Sequence, residues 1–259
     1  IESISRRLIL MNEKRKLIES SIFEEALIQA ELQKHKKYIL VYGKKWHNGV
    51  LGIIASKLIE RFYKPTIVIS FTNSIGVGSA RSINNIDLGS LIISAKNKNL
   101  LLGGGGHKMA AGLQIHYKYI EKFDLFINKH LNIIHNDVFQ RIEYFDSVIS
   151  VNEINNTLLD VIDQLEPFGM GNPQPKFLIN DIKFNQIKIL KDKHLLIFFQ
   201  NDFSQKLKAI CFNCIGTKLG DYLLNYKKHK LSIGCTIKKD NFNQNVMPQI
   251  VIKDAMLMN

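Results

Sequence analysis

The 259-residue sequence has three cysteines, one tryptophan and five prolines, and no apolar run approaches the 18 to 20 residues of a membrane span. Three cysteines are too few, and odd in number, for a disulfide framework; they point to a reducing compartment with thiols used for packing. The N-terminus, IESISRRLIL, lacks the basic, apolar, small-residue order of a secretion signal. A cytoplasmic protein without membrane attachment is therefore expected. Asp87, Asp124, Asp137 and Asp146 are scattered singly, unlike the dense Asp/His set of a two-metal phosphoesterase. No Ser or Cys nucleophile with a nearby His is indicated either. The chain begins with Ile rather than Met, so it reads as a fragment of something longer.

What is present is positive charge. The sequence has 35 Lys+Arg against 23 Asp+Glu, a net charge of +12, on a globular balance of 46% hydrophobic and 22% charged residues. The excess is unevenly spread: residues 1–134 carry +10 and 167–259 carry +8, while 135–166 hold only Arg141 against seven acids. Two basic bodies flanking an acidic bridge suit an extended polyanion, whose condensed counterions are released on binding. A proteome rich in Lys, Asn and Ile would account for the surface lysines almost as well.

Residues 1–35 read as one connecting helix, with Ile4, Leu8, Met11, Leu17, Ile18, Ile22, Ala26 and Leu32 at spacings of three and four and no Gly or Pro. From Tyr38 the pattern becomes a buried strand (YILVY), a helix (Gly49 to Phe62) and a second buried strand (PTIVISF), an α/β unit with a parallel pair. IGVGSAR, a helix N-capped by Asp87, a glycine cluster, the strand AAGLQI and a helix from Tyr117 to Leu131 complete one α/β domain over 38–134. The segment 135–175 is an acidic helical connector whose helix, NEINNTLLDVIDQL, stops at Pro167. From 176 the period becomes two, and five or six short strands suggest a small all-β barrel or sandwich, with TKLGDYLLNY as a short helix.

Three clusters could carry chemistry. In GGGGHKMAAG, the glycines Gly104, Gly105 and Gly106 read as an anion-binding loop, with His107 as donor and Lys108 as fixed charge. The small residues Ala110, Ala111 and Gly112 behind it imply close packing, which a loose glycine loop would not need. In GVGSARSI, Arg81 is a natural bidentate partner for phosphate, beside Ser79; an arginine in an exposed turn explains it equally well. In WHNGVLGIIASKL, Gly49 and Gly52 open a helix behind Trp46 and His47. Trp46 could stack on a base, although a core anchor is the slightly better reading. Cys211, Cys214, His229 and Cys235 have near-zinc spacing, but two of the cysteines lie in apolar strands, so burial is the better reading and no metal site is expected in the chain. In the tail, Phe177, Phe184, Phe198, Phe199, Phe212, Tyr226 and Phe242 alternate with lysines, Lys191 and Lys193 among them, as on a single-strand-binding barrel; at least half of the rings must be core.

The motifs WHNGVLGIIASKL, GSARSI with DLGSLI, and GGGGHKMAAGLQI, in this order, resemble the DHHA1 domain. With LEPFGMGNPQPKF and the β-rich tail, nearly the whole chain resembles the C-terminal half of the RecJ family of single-stranded-DNA-specific exonucleases. The resemblance implies an OB-fold for 176–259 and an interdomain linker helix for 1–37. It also implies that Arg81, Gly105, Gly106 and His107 face the DNA backbone with Ser79 in support. Hydrolysis would use Mn2+ or Mg2+ in an N-terminal DHH lobe outside this chain, in a 5′→3′ exonuclease of recombination and repair. Single-stranded DNA, the DHH lobe, a single-stranded-DNA-binding protein and a helicase are the implied partners. Two alternatives stay open: a DHH/DHHA1 phosphodiesterase of short oligonucleotides or cyclic dinucleotides, and a non-catalytic single-strand-binding module. Asn48 and Ala80 depart from the family pattern, and Ala80 could restrict the approach of a backbone.

Overall fold

The computed structural model describes residues 2–226, 230–240 and 247–258. Two compact units, Ile1–Ile142 and Glu143–Asn259, make up the chain.

The first unit opens with α1 (Glu2–Glu31), unbroken because it contains no Gly or Pro. Ile22, Ala26 and Ala30 form a narrow buried stripe at spacing four, whereas Ile4, Leu8, Met11 and Leu17 are exposed. The apolar positions of the helix are thus buried only in its last turns. Here α1 meets the strand β1 (Ile39–Lys44) and the helix α2 (Leu51–Phe62). Gln29 and Gln33 complete the edge of β1: each side-chain amide donates to a strand carbonyl, at Tyr42 and Leu40, and accepts from the same residue's N–H, at 2.8 to 3.1 Å. A helical i,i+4 pair spans about 6 Å, close to two residues of a strand, so the amides substitute for a missing neighbour.

Glu19 fixes the same helix to α2. It is buried and paired with Arg15 and Lys57. Burial alone would raise its pKa, but the hydrogen bonds and charges of Lys57 and Arg15 outweigh burial and hold the carboxyl below its usual range. A depressed folded-state pKa contributes stability above the unfolded value, about 4.3, that is lost as pH falls through the folded value. Glu19→Gln is therefore expected to cost about 1 kcal/mol at pH 7, discounted because both cations are half-exposed, and nothing at acid pH. Urea unfolding of both proteins at pH 7 and at pH 3 measures this; an equal deficit at both pH values would refute it.

The sheet continues with β2 (Thr66–Thr72), β3 (Ile75–Arg81), β4 (Gly103–His107) and β5 (Ala110–His116), in the order β1-β2-β3-β5-β4. Only β1 and β2 are parallel, as the strand–helix–strand pattern requires. Asp87 caps α3 (Leu88–Asn97) by accepting from Ser90 N at 2.9 Å, and α4 (Ile120–Asn132) closes the unit. Alternate residues of the strands face two cores, one shared with α1 and α2, the other with α3 and α4. Tyr38 is fully buried, its hydroxyl donating to Asp124 Oδ1 at 2.6 Å, which ties α4 to the start of β1.

In the second unit β6 (Ser147–Val148) and α5 (Asn156–Asp163) precede β7 (Phe177–Ile182), β8 (Gln186–Leu190), β9 (His194–Gln200) and β10 (Lys206–Cys211). The helix α6 (Lys218–Leu224), β11 (Lys230–Asp240) and β12 (Met247–Met258) follow. The acidic segment is less helical than its sequence suggests, and β6 joins the sheet through β7. Among the described residues the strand order β6-β7-β11-β12-β10-β9-β8 is open rather than a closed barrel, wrapped on one core with α5 and α6.

Candidate nucleic-acid interface

The glycine run is a strand, not a loop. Gly103–His107 pairs with β5, and Lys108 and Met109 make the turn between them. Close packing across the hairpin favours pairing over an open nest, because a residue with no side chain can lie flat against a neighbour. The turn is anchored by two backbone bonds, Leu88 N to Lys108 O at 3.1 Å and Ser82 N to Met109 O at 2.9 Å. Being last in the sheet, β4 presents its outer N–H and C=O groups to no further strand.

Register then brings the candidate residues together. Ser79 lies opposite Gly112, which lies opposite Gly105; Arg81 lies opposite Ala110, which lies opposite His107. Arg81 and His107 are thus two strands apart, about 10 Å. This row is on the sheet face that α2 covers only as far as β3. Gly52 in the first turn of α2 makes room for the arginine, since a Cβ there would stand 2.8 Å from Arg81 Nη2 and 3.2 Å from Ser79 Oγ. The half-buried guanidinium is held by Ser79 Oγ at 3.2 Å and Ala80 O at 3.0 Å. Fixed in this way, it keeps donors for a ligand at little further entropic cost.

The glycines divide by face. A Cβ on Gly105 would meet nothing within 4 Å, and Gly112 and Gly103 are nearly as open. Nothing in the fold requires glycine at these three positions, and together they make a side-chain-free shelf beside Arg81. Gly104 and Gly106 face the other way: a Cβ would stand 2.8 Å from Ile92 Cγ2 in one case and 2.7 Å from Ala111 Cβ in the other, with Ala110 O nearer still. Their glycines serve packing against α3 and β5, which corrects the single anion-binding role expected for the run. Ala80 belongs to the α3 side and is fully buried, so it does not restrict approach to the shelf. His107 and Lys108 are exposed at the hairpin tip.

Trp46 is not at the interface. It is 6% exposed, its ring packs over Gly43, and Nε1 donates to Glu25 Oε2 at 2.9 Å. A ring so enclosed has no face for a base, which selects the core role. His47 is exposed and accepts from Gly49 N at 3.1 Å, capping the turn before α2.

In the second unit Lys191 and Lys193 sit in the exposed β8–β9 turn. Phe177, Phe184 and Phe199 are core, as is Tyr226 in part, whereas Phe198 lies on the opposite, outer face and Phe212 is 48% exposed. Lys188 stands over Phe198 at 5.5 Å and Lys238 over Phe212 at 5.8 Å. One row across the sheet reads Gln186, Phe198, Lys208, Gln249, Lys238. Burial alternates strictly along β9, but Leu195 to Phe199 form a continuous apolar run, so no sequence signal separates Phe198 from Phe199. Phe242 and His229 lie outside the described residues.

The three thiols are buried. Burial, with Cys214 beside it, pushes Cys211 up, and burial pushes Cys235 to about 12, so thiolate ligands are disfavoured. Four of the carboxylates have other partners. Asp87 caps a helix, Asp124 serves Lys36 and Tyr38, Glu143 binds Lys176, and Asp163 binds Lys239. Among the described residues no three potential ligands converge.

Residues 35–136 match the DHHA1 domain and residues 145–254 the RecJ OB domain. A single-stranded-DNA-specific exonuclease RecJ of Bacillus subtilis (strain 168) is 29% identical over 261 residues, which cover 98% of this chain and 32% of the relative. The Haemophilus influenzae protein of that name is 31% identical over 221 residues, covering 81% of this chain and 38% of its own length. The chain thus spans about a third of the curated relatives it matches. The crystal structure of RecJ in complex with Mn2+ from Thermus thermophilus superposes with a TM-score of 0.75 at 22% identity, over 98% of this chain and 36% of that one, and shares its fold. Two successive domain matches, carried on a fold shared over almost the whole length, make this chain a member of the RecJ family, of which it holds the DHHA1 and OB domains.

Proposed function

We propose that the chain is the substrate-gripping part of a metal-dependent 5′→3′ single-stranded-DNA exonuclease of recombination and repair, acting in the cytoplasm. The observation that carries this reading is the shelf of Gly103, Gly105 and Gly112 beside Arg81. Its glycines are not required by packing, and they leave room for a sugar–phosphate backbone to lie against the sheet. Arg81 would grip a phosphate with two N–H groups, Ser79 would hold the guanidinium in place, and His107 would donate from the far side. Lys108, Lys191 and Lys193 would add long-range attraction, and exposed His47 would be a further point of contact.

The Thermus thermophilus RecJ was solved in complex with Mn2+ and, separately, with Mg2+. Asp87, Asp124, Glu143 and Asp163 of this chain are engaged in other contacts, and such an ion would be held by an N-terminal DHH lobe beyond it. In this division residues 1–37 link the lobes, 38–134 and 176–259 bind the strand, and 135–175 connect them. A single-stranded-DNA-binding protein and a helicase would supply the substrate.

The test is to offer the 259-residue chain a long single strand and a dinucleotide, with Mn2+ and without. Salt-sensitive binding of the long strand and no cleavage are expected. Efficient Mn2+-dependent degradation would overturn the division of labour, and preference for the dinucleotide would favour a phosphodiesterase of short substrates.

The outer face of the second unit gives a separate expectation. Phe198→Ala should weaken single-strand binding by about 1 to 3 kcal/mol, the worth of one stacked base, and leave the unfolding midpoint in place. Phe199→Ala, one residue on but in the core, should cost about 3 to 5 kcal/mol of stability. Equal effects of the two substitutions on binding would exclude stacking at Phe198.

A further inference from the structure

At the other end of β3 from Arg81, about 20 Å along the strand, lies an aromatic cavity that the shelf does not use. Tyr42, Phe71 and Tyr117 meet edge to face, each with the other two, at centroid separations of 5.8, 6.4 and 5.1 Å. Aromatic side chains favour such edge-to-face pairs, which stabilise beyond the area they bury. Phe71 is buried, Tyr42 is half-buried, and Tyr117 is 51% exposed. A cavity of about 530 Å3 opens over them, within the range of small-ligand sites.

Its rim is built rather than loose. Tyr117 N donates to Ser74 O at 2.8 Å, and Lys45 N donates to Phe71 O at 3.0 Å. Asn73 holds a left-handed φ of +55° in the two-residue turn between β2 and β3, a conformation that asparagine tolerates. The charged residues lining the cavity are Lys44 and Lys118, with His116 beside them, and no carboxylate lines it. Glu121 and Asp124 act on Tyr42 from the neighbouring cavity, where Asp124 is already bound by Lys36 and Tyr38.

We infer that this cavity binds one nucleotide unit, with the base on the Tyr117 ring and the phosphate between Lys44 and Lys118. A stacking face, two cations without a competing acid, and the Asn73 amide, able to pair with a base edge, are the three elements a nucleotide requires. An acidic peptide would use the cations but not the amide. The unit can be a free mononucleotide or part of a strand, since both present the same base and phosphate.

Titration of the 259-residue chain with 2-aminopurine deoxyriboside 5′-monophosphate, and separately with a short oligonucleotide carrying one 2-aminopurine, tests the site by fluorescence quenching. Tyr117→Ala is expected to weaken binding about 5-fold or more, with Tyr117→Phe retaining it. Lys44→Ala with Lys118→Ala should weaken it further and flatten its salt dependence. Tyr117→Ala removes two ring contacts, so its unfolding midpoint is measured alongside to show that the variant remains folded, and the Tyr117-dependent quench should survive Arg81→Ala. Quenching by the monophosphate assigns a free ligand; quenching by the oligonucleotide alone assigns a nucleotide within a strand. The inference fails if neither probe shows a Tyr117-dependent quench. It fails equally if an acidic peptide with one phenylalanine binds at Tyr117 where both nucleotides do not.

Discussion

Replacing Arg81 by alanine is expected to lower the affinity of the chain for single-stranded DNA by about 10- to 100-fold at low salt, the worth of a charge-assisted, bidentate phosphate contact. It should also reduce the slope of log affinity against log salt by about 0.7, one phosphate contact on a single strand. Folding should be little affected, because the guanidinium is only half-buried and its partner Ser79 Oγ lies on a partly exposed residue. Arg81→Lys should rescue the salt slope but not the affinity, since an ammonium cannot reproduce the planar fork. Lys108→Ala, at the exposed hairpin tip, should reduce the slope and lower affinity at low salt, by less than Arg81→Ala. In a longer protein that carries a hydrolytic lobe, Arg81→Ala and His107→Ala should slow cleavage by about 100-fold, as loss of a preorganised donor does. Filter binding across a salt series and single-turnover cleavage measure these effects. Unchanged affinity in Arg81→Ala, together with unchanged turnover in both variants, would remove the phosphate grip.

A contrast between neighbouring glycines should be as large. Gly106→Ala drives a methyl group into the backbone of Ala110 and Ala111, where no flexible side chain can move away. A loss of about 3 kcal/mol or more is expected, seen as a fall in the unfolding midpoint of the first unit. Gly89→Ala should act in the same direction, because its Cβ would stand 2.9 Å from the Gly106 and His107 carbonyl oxygens. Gly105→Ala adds its methyl group to open space and should leave stability within about 0.5 kcal/mol. On the shelf, however, the same methyl group occupies the place of the ligand, so single-strand binding should fall about 10-fold or more. A stable Gly105→Ala protein with unaltered binding would show that no backbone lies on the shelf.

The course of the chain through its elements was legible because each depends on neighbours in sequence. Pro65, the period-two tail, the Asp87 cap and the helix after Tyr117 all stand in the structure where local pattern placed them. The parallel pairing of the first two strands followed from the helix between them. The helix over residues 1–35 was legible, but which of its apolar positions are buried was not, because an apolar period records only that a face could be buried, not what is present to bury it. Trp46 was undecidable locally, since the residues that enclose it, Gly43 and Glu25, come from another turn and another helix.

The sequence by itself determined the charge pattern, the two-part organisation, the family resemblance and the small set of residues from which an interface could be made. Only tertiary structure decided their roles. Four successive glycines look alike along the chain, yet pairing of β4 with β5 turns alternate ones to opposite faces of a sheet. One face is filled by α3, so its glycines are steric necessities; the other lies beyond the reach of α2, so its glycines are vacant surface. That distinction, and the alignment of Arg81 with His107 through Ala110, depends on registers between strands up to thirty residues apart. No local pattern encodes such registers.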